Sequence, residues 1–162
     1  MKPRRSMSWF LICGAAARDP KVPVPNSVIA VLHTAKPAVG WDAKTAVSAD
    51  VTCDGKPDTV VIGYEKKKEV AWIGVVPGSD KNRASRPITM SFLVGKHTQD
   101  SFCSLPVQIK TGPIECDDNE LGALPGCKRV KGCSDFSIVD TDCDSFYFYW
   151  DSSHKKLAWW RR

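Results

Sequence analysis

An all-β fold is expected for this 162-residue chain: an antiparallel β-sandwich or a curved double sheet with disulfide-pinned loops. Three observations predict it. Short runs rich in Val, Ile, Phe, Tyr and Trp recur along the sequence, separated by polar segments with Gly and Pro. No amphipathic helical period of useful length interrupts them, and the one weak helix candidate, residues 42–48, is short. The cysteines become even in number once an N-terminal targeting segment is set aside.

That segment opens with Lys2, Arg4 and Arg5 and continues as an apolar run that ends Gly14-Ala15-Ala16-Ala17. It has the pattern of a secretory signal peptide with an A-x-A cleavage site, too short to span a bilayer as a helix. The expected organisation is therefore signal peptide 1–17, extended leader 18–40 and a single β domain 41–162, in a periplasmic or secreted protein with no membrane insertion after signal cleavage. An alternative attaches lipid at Cys13, but Leu11 and Ile12 are a poor setting for it. Cleavage leaves six cysteines, Cys53, Cys103, Cys116, Cys127, Cys133 and Cys143. Six in a secreted chain read as three disulfides. Fifteen connectivities are open, and Cys127 and Cys133 are near enough in sequence to close a small loop. Without a C-x-x-C pair, and with three histidines in all, metal ligation by these cysteines is disfavoured. The formal charge of +5 falls to twenty basic against eighteen acidic residues, so the basicity is mostly a targeting feature. No nucleic-acid-binding motif is present, and no nucleic-acid partner is expected.

The elements follow in order. Pro20, Pro23 and Pro25 keep the leader extended, and residues 28–32 form an edge strand or part of that leader. Residues 40–45 read as a turn, and the chain reads as β from Ala46. Strands are expected at 58–64 and 69–76, joined by the charged hairpin tip Glu65-Lys66-Lys67-Lys68-Glu69. Residues 77–86 form a polar loop. In 87–94, Ile88, Met90 and Phe92 alternate with Thr89, Ser91 and Leu93, as in a half-buried strand. A strand across 105–114 carries Val107 and Ile109, residues 116–134 are loop, and strands close the chain at 136–139, 144–150 and 155–160.

The run Asp50-Val51-Thr52-Cys53-Asp54-Gly55-Lys56-Pro57-Asp58 has oxygen-bearing side chains at loop positions 1, 3, 5 and 9 and Gly at position 6. Alternate residues of such a loop turn toward one centre. Asp50, Thr52, Asp54 and Asp58, with the Lys56 carbonyl, offer hard oxygen ligands suited to a structural Ca²⁺ ion. Position 12 is Val61 rather than Glu, and a strand follows, so the loop is no EF-hand. It resembles the calcium loops of FG-GAP and VCBS-type β repeats, with Thr52 where that family places Asn or Asp. The competing reading is a metal-free Asp-Gly turn whose carboxylates cap backbone N–H groups. Asp140-x-Asp142-x-Asp144 looks like half of a second cation loop, but lacks Gly and the last acid, and reads better as a solvated acidic turn.

Phe146, Phe148 and Trp150 share one strand face, and Tyr147 and Tyr149 the other. Tyr147, Tyr149 and Trp160 then form an aromatic surface for sugars or a protein partner, unless both faces are buried between layers. Two basic loops stand out, one with Arg83 and Arg86, the other Cys127-Lys128-Arg129-Val130-Lys131-Gly132-Cys133. They read as solvated tips or as protruding loops that enter an acidic cleft. The three histidines sit in no nucleophile, zinc or phosphoryl-transfer motif, and G-x-S-x-G and H-E-x-x-H are absent, so the chain is not expected to be an enzyme.

The Asp-Gly-Lys-Pro-Asp loop, Gly122-Ala123-Leu124-Pro125-Gly126-Cys127 and the ending Phe148-Tyr149-Trp150-Asp151…Ala158-Trp159-Trp160 together resemble small secreted bacterial proteins. Some similar periplasmic proteins are lysozyme inhibitors or immunity proteins against cell-wall hydrolases. The resemblance implies a non-enzymatic inhibitor that occludes a hydrolase active site with a basic loop side chain. The alternative is a carbohydrate- or peptidoglycan-binding module that uses the aromatic face.

Overall fold

The computed structural model describes residues 26–78, 86–96, 98–118 and 122–161. The expected signal peptide, the leader up to residue 25, and Arg83 lie outside the described residues. One helix, α1 (Asn26–Ala35), precedes eleven strands: β1 (Gly40–Ala49), β2 (Asp58–Tyr64), β3 (Val70–Val76), β4 (Ile88–Val94), β5 (Ser101–Phe102), β6 (Gln108–Pro113), β7 (Asp117–Asp118), β8 (Gly122–Ala123), β9 (Ser134–Val139), β10 (Phe146–Asp151) and β11 (Lys156–Arg161). Strands β1 to β5 form a curled sheet in sequence order, antiparallel except for the β4–β5 pair. A second, open antiparallel sheet runs β11-β10-β9-β6, and β7 and β8 make a separate small hairpin. The all-β double-sheet expectation holds at this level.

Two stretches differ from expectation. Asn26–Ala35, expected within an extended leader, is helical. The weak helix candidate at 42–48 lies inside β1. Its register with β2 shifts between Asp42 and Val47. Thr45 bridges that irregularity, because its hydroxyl donates to the Asp42 carbonyl and accepts from Ile62 N–H. The irregular stretch of β1 is thus tied to the neighbouring strand.

The core lies between the sheets. Val60, Ile62, Ala71, Ile73, Val75 and Phe92 from the first sheet meet Phe136, Ile138, Phe146, Phe148 and Leu157 from the second. Phe92 sits among Phe102, Phe146, Phe148 and Trp159, with ring centroids 4.8–5.8 Å apart. Phe136 and Phe148 stack at 4.7 Å. Each such aromatic pair adds about 0.5–1.5 kcal/mol to the burial of its area. The Arg161 guanidinium lies 4.6 Å from the Phe146 ring centroid and donates to the Ser101 carbonyl, which ties the edge of one sheet to the edge of the other.

The outer face of the first sheet is covered by α1 and the start of β1. Two glycines make room for them. A Cβ at Gly74 would come within 2.5 Å of Leu32 Cδ2, and one at Gly63 within 2.5 Å of Val39 Cγ1 and 2.7 Å of the Trp41 ring. Leu32 is fully buried in the resulting groove. We expect Gly74→Ala to destabilise the fold by about 1–3 kcal/mol through overpacking. In the double variant with Leu32→Ala the combined loss should be less than the sum of the single losses. Additive urea midpoints would contradict this packing.

Candidate functional site

Three disulfides fix the loops: Cys53–Cys133, Cys103–Cys143 and Cys116–Cys127. The Cys127–Cys133 loop suggested by sequence proximity does not form. Each of those cysteines bonds outward instead, so residues 128–132 are clamped at both ends. At one end, Tyr149 Oη donates to the Pro125 carbonyl at 3.1 Å, and Ser152 N–H donates to the Gly126 carbonyl at 2.8 Å. At the other, Ser134 N–H donates to the Asp50 carbonyl at 2.8 Å beside the buried Cys133. Lys128, Arg129, Val130 and Lys131 are all exposed, with Val130 at 42%. Arg86 is also exposed. The β2–β3–β4 register places it at the end of the first sheet where Asp58 and the Cys53–Cys133 bond lie.

The residues expected to hold Ca²⁺ are arranged around amide hydrogens. Asp50 accepts from Asp54 N–H and Gly55 N–H, and Asp54 accepts from Lys56 N–H. Asp58 is fully buried and accepts from Val51, Thr52 and Gly78 N–H, all at 2.8 Å. Thr52 is buried beside it. Among the described residues the Asp50, Asp54 and Asp58 carboxylates do not converge closely enough to form a ligand group. No calcium-type loop is evidenced; the carboxylates accept backbone N–H groups of a turn that bends at Gly55, φ 85°.

The aromatic residues separate by face. Phe146 and Phe148 enter the core and Trp159 packs against it. Tyr147 and Trp160 stack on the outside at 4.5 Å. Tyr149 does not join them as an exposed platform, because it is only 7% exposed and its hydroxyl is engaged by Pro125. Tyr147 and Trp160 border a pocket of about 190 Å³ with Glu115, Asp117 and Asp135. Burial pushes the Asp135 carboxyl up, the Glu115 N–H bond pulls it down, and the nearby Glu115 charge adds to the rise.

The expectation of a non-enzyme is corrected by a grouping that the sequence did not reveal. Cys103, Asp140 and Cys143 bring one ligand atom each to within 4.8 Å of one another, an arrangement of the kind that holds a metal ion and has catalytic potential. It resembles a transition-metal site rather than a hard-oxygen one. The two sulfurs are bonded to each other in this structure. Asp140, expected in a solvated turn, is buried and accepts from Cys103, Ser104 and Asp142 N–H and from Ser104 Oγ. Burial opposes its ionisation, but these hydrogen bonds outweigh it and hold the carboxyl below the usual aspartate range. The two cysteines are 40 residues apart, so no local spacing could expose the group.

No family model, curated protein or solved structure matches this chain. The likenesses to calcium-loop repeats and to hydrolase inhibitors therefore gain no support beyond a small all-β domain with three disulfides. Among the described residues no helix is long and apolar enough to cross a membrane.

Asp151 at the end of β10 gives a pH test of this frame. Its carboxylate accepts from Ser153 and His154 N–H and lies 2.6 Å from His154 Nδ1. The His154 side chain, chiefly, holds Asp151 below the ordinary aspartate value. The folded pKa is depressed, so its stabilisation is present above the unfolded value of about 3.9 and is lost as pH falls through the folded value. Asp58, whose burial raises it, acts with the opposite sign between its unfolded and folded values. In His154→Ala the Asp151 carboxyl should titrate higher by NMR, and acid unfolding should begin at higher pH. An unchanged Asp151 titration would refute this role for His154.

Proposed function

We propose that this protein binds another protein by inserting the clamped basic loop at residues 128–132 into an acidic cleft. The partner class is a cell-wall hydrolase, lysozyme-like, whose catalytic carboxylates the loop covers, as an inhibitor or immunity protein does. The observation that carries the reading is the loop's double clamp, with every side chain from Lys128 to Lys131 turned out to solvent. A loop already fixed by disulfides loses little conformational entropy on binding. Lys128, Arg129 and Lys131 supply charge-assisted donors for carboxylates, and the exposed Val130 supplies an apolar contact. Arg86, at the same end of the first sheet, extends the basic surface. A periplasmic or secreted setting belongs to the proposal and is favoured by three disulfides.

The Tyr147–Trp160 stack and the carboxylates beside it favour a second reading, a glycan site. A stacked aromatic pair offers a face to a sugar ring, and Glu115, Asp117 and Asp135 offer acceptors to its hydroxyls.

One pair of experiments separates the readings. The triple variant Lys128→Glu, Arg129→Glu, Lys131→Glu should lose at least about a hundredfold in affinity for a lysozyme-like hydrolase, the loss of two or more charge-assisted contacts. Its Tm should stay within a degree or two of the parent. Unchanged inhibition, or an unfolded variant, would count against the loop. Quenching of Trp fluorescence by soluble peptidoglycan fragments, removed by Trp160→Ala, would move the function to the glycan site.

A further inference from the structure

We propose that reduction of the Cys103–Cys143 disulfide converts this corner of the protein into a binding site for a thiophilic divalent ion such as Zn²⁺. The ligands would be the two thiolates and the Asp140 carboxylate. The inference is independent of the loop reading above.

Three observations carry it. First, a carboxylate oxygen of the buried Asp140 lies within 4.8 Å of both sulfurs of the Cys103–Cys143 bond, and among the described residues this is the group with that property. A tetrahedral ion with bonds of 2.0–2.3 Å needs its ligand atoms about 3.3–3.8 Å apart, so after reduction each sulfur must withdraw by about 1 Å and the carboxylate approach by a similar amount. Second, the frame does not depend on the S–S bond. The Asp140 carboxylate accepts from Cys103 N–H and Ser104 N–H on one side and from Asp142 N–H on the other, and Ser104 Oγ also meets Thr141 Oγ1 at 3.2 Å. Cys103 follows the fully buried Phe102, whose carbonyl accepts from Gly95 N–H and whose ring packs on Phe92 and Phe146. The turn that carries Cys143 is held between β9 and β10. Opening the bond therefore leaves the two sulfurs facing each other. Third, both cysteines line an open pocket of about 620 Å³ with Asp142, Asp144 and Arg161, which gives a reductant and an ion access.

The chemistry balances with a dithiol as reductant. The dithiol gives two electrons and two protons, becomes a disulfide, and leaves two protein thiols. Binding of the ion then displaces the two thiol protons to solvent. Asp140 can coordinate by releasing the Ser104 hydroxyl, a donor free to rotate toward Thr141. Three protein ligands leave a fourth position for water, the arrangement of a catalytic rather than a closed structural site.

The test uses the full chain. It is reduced with limiting dithiol, freed of reductant without oxygen, and titrated with Co²⁺, a Zn²⁺ stand-in whose bonds to sulfur absorb in the near ultraviolet. Alkylation and mass spectrometry identify which cysteines are free. The expected result is one Co²⁺ per chain with a sulfur charge-transfer band in the reduced protein and none in the oxidised protein. The double variant Cys103→Ser, Cys143→Ser, which keeps the Asp140 hydrogen bonds, should fold and lose the band. A reduced parent without the band, a band undiminished in the double variant, or loss of near-UV circular dichroism on reduction would each overturn the proposal.

Discussion

The constraint on which the rest of the structure depends is the buried carboxylate at a strand end that gathers the amides of a loop. Asp58 is the central case. It opens β2, is fully buried, and accepts three N–H bonds from two separate loops. Asp140 follows β9 and Asp151 closes β10, and each does the same for its own loop. A buried carboxylate without such donors would be costly; with them, it fixes backbone that contributes little apolar surface. Desolvation still pushes Asp58 upward, whereas Asp140 and Asp151 are held down by their hydrogen-bond partners.

The disulfides reinforce what these carboxylates position. Cys53–Cys133 joins the Asp58-capped turn to the start of β9, and Cys103–Cys143 lies beside Asp140. Cys116–Cys127 secures the approach to the exposed basic loop, whose root also packs on the end of β10 through a Cys127–Asp151 bridge. The close approach there needs Gly126, since a Cβ would fall on the Asp151 carboxylate. Between these tied loops, the aromatic cluster around Phe92 holds the sheets together. The candidate sites are thus surface features of a frame fixed from below.

Much of the sheet was legible. The bounds of β2 matched the expected run of Val and Ile, and the Lys-rich tip closed as a hairpin with Lys68 at φ 54°. The alternation in β4 placed Phe92 in the core and left Leu93 39% exposed. The helix Asn26–Ala35 was not legible, because its burial rests on one residue, Leu32, meeting a groove made by distant glycines. The chain reads as β from Ala46, but the first half of β1, residues 40–45, is expected to be a turn; it is extended by pairing with β2 across an irregular register. At the sites, spacing alone suggested a cation loop around Asp50 and Asp58, but could not tell whether the oxygens face an ion or backbone N–H groups. It reads Asp140 as part of a solvated acidic turn and disfavours metal ligation by the cysteines, because the meeting of Cys103, Asp140 and Cys143 depends on tertiary structure. Tyr149 alternates with the core residues and so looked exposed, yet the loop carrying Pro125 covers it.

The most direct measurement is amide hydrogen exchange at Val51, Thr52 and Gly78 in the parent and in Asp58→Ala, with all disulfides oxidised. All three amides should be protected in the parent. In the variant they should lose protection together, while Ile62 and Ile73 in the sheet stay protected. Fast exchange of these amides in the parent, or protection unchanged in the variant, would contradict the claim that buried carboxylates hold the loops.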